Sequence, residues 1–182
     1  MKKLLIATLL GLTFGAQAAN YVQVEQEHVN GRKGADGSEV SYVRFGKDVG
    51  DYNLGVQSRT ARFNAGGIAS SLEVTGSNKN VSAFGITPFV GVGHDNGFNG
   101  GAGYNYGLVG ATYGRPVGPG FLLTGIKTRV GSTEDGARTK QTVGFATYSI
   151  PVAKQVSLNL NASRSGQTIK ENAFGVGLGF SF

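Results

Sequence analysis

Along most of this chain hydrophobic and polar residues alternate one by one, and clusters of Gly, Asn, Asp and Pro interrupt the alternation at intervals. Alternation with period two puts successive side chains on opposite faces of an extended strand. It predicts ten strands, over 21–29, 40–47, 52–64, 68–75, 81–93, 103–114, 121–130, 138–150, 156–163 and 172–182. In the first, Val22 and Val24 oppose Gln23, Glu25 and Glu27; in the third, Leu54 and Val56 oppose Gly55, Gln57 and Arg59. In the eighth, Val143 and Phe145 oppose Lys140, Gly144, Ala146 and Tyr148, which puts Val143 and Phe145 on the apolar side. Pro88 falls inside the fifth strand, where it cannot donate to a ladder, so a bulge or kink is expected there. The segments 115–120 and 151–155 each hold Pro and are expected to turn. No helical period follows residue 19.

The last of these stretches is the most one-sided. Phe174, Val176, Leu178, Phe180 and Phe182 share one face, while the other carries only Gly175, Gly177, Gly179 and Ser181. A soluble sandwich strand normally turns its apolar face inward and polar side chains outward. Here the second face is bare. A chain ending on an aromatic residue at the close of such a strand resembles the C-terminal signature of bacterial outer-membrane β-barrels. In plan the whole chain is similar to the OmpA, OmpX and opacity class. The resemblance implies an all-β fold: a closed antiparallel transmembrane β-barrel in up-and-down order, with about ten strands, or eight as in those families. It also implies that the terminal strand is read by the barrel-assembly machinery, and that outer-membrane lipid and lipopolysaccharide surround the wall. Each strand is close to the roughly 9–11 residues that cross a bilayer at a tilt. An even count returns both termini to one side, the periplasmic one in this class.

The start of the chain fits that destination. Lys2 and Lys3 precede the apolar run 4–12, and Ala16-Gln17-Ala18 forms a small-x-small cleavage pattern. Residues 1–18 are therefore expected to be a signal peptide cleaved after Ala18, with Ala19 the alternative, and residues 19–182 the barrel. The apolar run is too short for a spanning helix, which needs roughly 20 residues. A mature chain in a bilayer must then be there as a barrel.

Composition agrees and narrows the function. The 182 residues include 31 Gly, 4 Pro and no Cys or Trp, which is Gly-rich and low in charge for a soluble domain. The formal charge of +6 becomes +4 once Lys2 and Lys3 leave with the signal peptide. The basic residues are scattered singly, so no nucleic-acid stripe forms; attraction to anionic lipid headgroups is the simpler reading.

If the aliphatic side chains face lipid, the same parity sends Glu25, Glu27, Arg44, Arg59, Glu73, Lys127, Arg129 and Lys140 into the lumen. Charges of both signs on an enclosed face imply compensating pairs, hence a network bridging strands. A charged constriction that selects solutes is the functional alternative. With about ten strands the lumen lies nearer the side-chain-filled case than the open one, which takes about 16. The inward glycines either tighten the wall or make room for long Arg and Tyr side chains. Tyr21, Phe45, Tyr52, Tyr104, Tyr106, Phe121 and Phe182 form either a headgroup girdle or ordinary strand positions.

Enzymatic chemistry finds little support. His94-Asp95, placed in an outer loop, offers half of an acid-base pair, but a polar loop tip is the preferred reading. His28 follows the lipid-facing parity. Neither the paired acids and histidines of barrel proteases nor the His-x-Ser of lipid A deacylases occurs. No catalytic residue, metal site or cofactor is assigned. The expected role is a non-enzymatic structural or surface-interaction barrel with a largely occluded lumen; the alternative is a narrow passive channel for small polar or anionic solutes.

Overall fold

The computed structural model describes residues 20–31, 37–97, 99, 103–133, 136, 138–167 and 171–182. The proposed signal peptide, 1–18, lies outside them. Ten antiparallel strands form a closed meander: β1 Tyr21–Gly31, β2 Ser38–Val49, β3 Tyr52–Phe63, β4 Ile68–Asn78, β5 Ile86–Asp95, β6 Tyr104–Val117, β7 Gly120–Thr133, β8 Arg138–Ala153, β9 Val156–Gln167 and β10 Glu171–Ser181. Every strand pairs with its neighbour in sequence, and β1 closes on β10 through a register running from Tyr21↔Ser181 to Gly31↔Glu171. At the terminal end the chain is tied by Phe182 N–H donating to Asn20 O at 3.0 Å.

The wall is apolar outside and polar inside. Val24, Val43, Leu54, Leu72, Val92 (64% exposed), Val109, Ile126, Val130, Leu160 and the β10 row Phe174, Val176, Leu178, Phe180 all stand on the exterior. Glu25, Glu27, Glu73, Asn159 and Asn161 are buried within. Apolar side chains are enclosed too: Val29, Val40, Ala61 and Ala173 form one small cluster toward the loop end, with Tyr42 and Phe63 against it, and Phe89, Leu108, Phe121, Leu123, Val143 and Phe145 turn inward elsewhere. This is the inverse of a soluble fold, as the alternation predicts.

Several local expectations are corrected. On β8 the inward side chains are Gln141, Val143, Phe145, Thr147 and Ser149, so Lys140 stands outside, opposite Val130. Both faces of this strand are mixed, and its partners decide: Phe145 pairs with Gly125 and fills the space above it, while Thr147 pairs with Asn161. A shift of one residue would exchange the two faces. On β6, where alternation sets Tyr104, Tyr106 and Leu108 against Asn105, Gly107 and Ala111 and so reads the first three as the lipid side, Tyr106 and Leu108 turn inward and are buried, whereas Val109 is exposed. Pro116 and Pro151 belong to strands, and the turns contract to Gly118-Pro119 and Lys154-Gln155. The register shift nearby lies between Pro151 and Ala153.

Pro88 makes no bulge. Its register with Ala111 on β6 is continuous, but the β4–β5 ladder covers only Ser71–Gly76 against Asp95–Val90 and has ended before Pro88. The residue without an N–H thus sits where its strand is partnered on one side. Residues 81–85, expected to open the fifth strand, instead close a 3-10 turn (Lys79–Val81) and form a tight reversal in which Phe84 has φ 54° and is 98% exposed.

The inward glycines have one recurrent use. A Cβ at Gly46 would overlap the Tyr21 ring, at Gly93 the Tyr106 ring, at Gly110 the Phe89 ring and at Gly125 the Phe145 ring; at Gly175 and Gly177 it would overlap Glu27 and Glu25. Each pair is directly opposite in the register. The space goes to the neighbouring strand's large side chain, which lies flat over the bare backbone. Outward Gly144 has open space around it. Gly125→Val is therefore expected to destabilise the barrel by about 1–3 kcal/mol through overpacking, while Gly144→Val is near neutral or stabilising. Urea unfolding from lipid vesicles, followed by gel mobility with and without heating, measures the difference.

Candidate functional site

The lumen gathers seven of the eight charged residues assigned to it: Glu25 and Glu27 from β1, Arg44 from β2, Arg59 from β3, Glu73 from β4, and Lys127 and Arg129 from β7. Register explains the grouping. Gln23, Arg44, Gln57, Glu73, Gly93 and Tyr106 are successive cross-strand partners on six neighbouring strands, so their side chains converge at one level.

Two nodes result. Glu25, whose side chain is wholly buried, is paired with Arg44 and accepts from Gln23 Nε2 at 2.8 Å. Arg44 also donates from Nε to Gln57 Oε1 at 2.7 Å and lies 4.6 Å from the Tyr42 ring centre. The Tyr42 hydroxyl interacts with Glu27 and with Arg59, tying those two charges into the same side. The second node is Glu73. It accepts from Lys127 Nζ at 2.8 Å, from Arg129 Nε and Nη2 at 3.0 and 2.7 Å, and from the Tyr106 hydroxyl at 3.3 Å. Arg129 also reaches Gln141 Oε1 at 3.4 Å and stacks 5.2 Å from the Tyr106 ring.

The Glu73 node crosses the barrel from β4 to β7, passing over β5 and β6. It can do so because β5 presents Gly93 inward, leaving Tyr106 room to lie beside the carboxylate. Two cations on one carboxylate, all largely buried, hold only as a set. Removal of one partner strands the others in a poorly solvated space. Glu25 Oε1 and Asn161 Nδ2 are buried without a hydrogen-bond partner among the described residues.

On the opposite wall the one charged lining residue among the described strand positions is Glu171, at the loop end. β8, β9 and β10 turn Thr147, Ser149, Ser157, Asn159, Asn161, Ser163 and a row of glycines toward the lumen, with Thr147 Oγ1 donating to Asn161 Oδ1 at 2.7 Å. Between the two walls lies a cavity of about 810 Å³. Its lining includes Tyr21, Lys79 and Gln155 at the terminal end and Ser38, Tyr104 and Glu171 at the loop end. At roughly 30 Å³ per water this space accommodates some two dozen waters.

His94 is not part of the site. It lies within β5, not in a loop, and points outward, its Nδ1 2.8 Å from Asn105 Oδ1, whereas Asp95 lines the lumen. Neighbours in sequence, they stand on opposite faces of the wall. His28 is likewise outward and pairs with Glu39 at 2.6 Å. Of the aromatics, Phe45, Tyr52 and Phe182 face outward, while Tyr21, Tyr104, Tyr106 and Phe121 point in. Tyr42, Gln57 and the two asparagines share the inward parity of the charges and were legible from it. Tyr106 was not, since an aromatic in a membrane strand reads equally as a lipid contact.

No family model matches the sequence, and no curated protein matches it. Solved structures do. The translocator domain of the autotransporter NalP from Neisseria meningitidis has a TM-score of 0.50 at 13% identity, over 97% of this chain and 94% of that one. Neisserial surface protein A gives 0.47 at 12% identity, over 90% and 97%. The KdgM porin, in complex with disordered oligogalacturonate, gives 0.47 at 13%, over 89% and 99%. At such identities the likeness is one of fold. The chain has the architecture of a small outer-membrane β-barrel, with ten strands closed in meander order.

Glu73→Gln is expected to destabilise the folded barrel by about 3–5 kcal/mol, because Lys127 and Arg129 lose their shared carboxylate. A triple variant that also carries Lys127→Met and Arg129→Met is expected to regain most of that loss. Equilibrium unfolding of the three proteins in the same vesicles provides the comparison.

Proposed function

We propose that this protein is an integral outer-membrane barrel, non-enzymatic, whose lumen is a narrow water-filled path for small polar solutes. The carrying observation is the cavity, whose lining extends from the terminal end to the loop end along the Ser, Thr and Asn side chains of β8 to β10, with Val143 and Phe145 among them. Termini face the periplasm in this reading, and the connections after β1, β3, β5, β7 and β9 face outside. The Glu73 node narrows the path at mid-height, with two cations around one carboxylate. This local excess of positive charge favours anions slightly over cations.

The second reading is a closed barrel with a structural or surface-interaction role. It is supported by the same node, since side chains joined across β4 and β7 brace the wall and subtract from the open area. Planar-bilayer recording separates the two. The channel reading expects small discrete steps with modest anion preference, and Arg129→Gln shifting that preference toward cations. A correctly folded barrel that inserts without steps would favour the closed reading. Recovery in outer-membrane fractions, with heat-modifiable migration on gels, tests the location independently.

A further inference from the structure

The outer wall carries a charge imbalance that the lumen does not. Lys47, Arg62, Arg115, Arg138, Lys140 and Arg164 are exposed strand residues whose registers set them on the lipid side. Among the described strand residues one carboxylate faces that way, Glu39, and it is taken by His28. Arg138 and Lys140 stand two residues apart on the same face of β8. Lys140 ends the cross-strand row Val74, Val92, Gly107, Val130, and Arg138 ends the next row toward the loops, Leu72, His94, Asn105, Ser132.

Beside these cations is a groove. Gly107 points outward with open space above it, and around it Leu72, Val74, Val92, His94 and Asn105 border an exterior hollow of about 510 Å³. Two inter-strand spacings, about 10 Å, separate Gly107 on β6 from Lys140 on β8. Apolar below and cationic at its side and loop end, the surface has the polarity profile of a single lipid molecule. We infer that this face of β5 to β8 holds one phosphate-bearing lipid of the surrounding bilayer, with an acyl chain over Gly107 and the phosphate against Arg138 and Lys140. The inference rests on the reading that the wall faces hydrocarbon. Free phosphate would satisfy the cations and leave the groove empty. A second copy docked through the same face would set Arg138 and Lys140 against their own images. Glu134 and Asp135 lie in the connection before β8, outside the described residues, so Lys140, deeper on the wall, is the sharper probe.

The test uses the full barrel refolded in a non-ionic detergent, with lipid A, a diphosphorylated glycolipid, as probe and native mass spectrometry as readout. Wild type is expected to retain one lipid A. Lys140→Gln lowers retention roughly five-fold and the Arg138→Gln/Lys140→Gln pair roughly twenty-fold, as expected for basic residues at a lipid surface. Gly107→Leu lowers it by filling the groove, while Lys47→Gln/Arg115→Gln at the opposite end leaves it unchanged. Heat-modifiable migration certifies that each variant is folded. Equal retention of dephosphorylated lipid A, indifference to Lys140→Gln, or lipid-free dimers would each overturn the assignment. Failure of the outer-membrane reading is seen separately, in cell fractionation.

Discussion

In hydrocarbon a peptide N–H or C=O left without a partner costs several kcal/mol, and no water is at hand to take its place. The ladder between β1 and β10 is what meets that demand, because it removes the last two free edges of the sheet. Side-chain placement follows from it. Once the sheet is closed, one set of alternate positions faces lipid and the other faces a confined space, and the chain has no third option. The terminal strand states this most plainly: an aliphatic and aromatic row outside, glycine and serine inside.

Confinement then shapes the interior. Ten strands enclose more volume than apolar side chains fill here, and the apolar cluster at the loop end is small. The remainder is shared between inward Phe89, Leu108, Phe121 and Phe145 and long polar side chains anchored to one another. Glycine on a neighbouring strand is the condition for several of them, since Glu25, Glu27 and Tyr106 each lie across a backbone that carries no Cβ. Charge pairing and backbone bareness are therefore two parts of one packing solution. The wall of β8 to β10, where Glu171 at the loop end is the one charged lining residue among the described strand positions, has no such crossing network, and the cavity adjoins it.

Fold class, strand count and most facing directions were legible because the two faces of most strands differ sharply in polarity. β1, β3, β4, β9 and β10 are unambiguous on that criterion. β8 is not: Lys140 and Tyr148 on one side and Val143 and Phe145 on the other leave alternation without a preferred sense, and the register with Gly125 and Asn161 makes the choice. Prolines misled in a related way. Pro116 and Pro151 lie near strand ends, where a missing donor is tolerated, so composition placed turns too early. The charged members of the lumen were readable one by one from parity. Their grouping around Glu73 was not, since β4 and β7 are separated by more than forty residues and only barrel closure brings Lys127 and Arg129 within 3 Å of that carboxylate.

The short ladder at Pro88 bears on how this sheet comes apart. β4 and β5 share six register pairs, against nine or more at every other seam. With fewest rungs, that seam opens first under heat or denaturant and exchanges its amide hydrogens soonest. A cylinder with one weak stave unzips along a single line, so its unfolding begins between β4 and β5 and not at the closure between first and last strands.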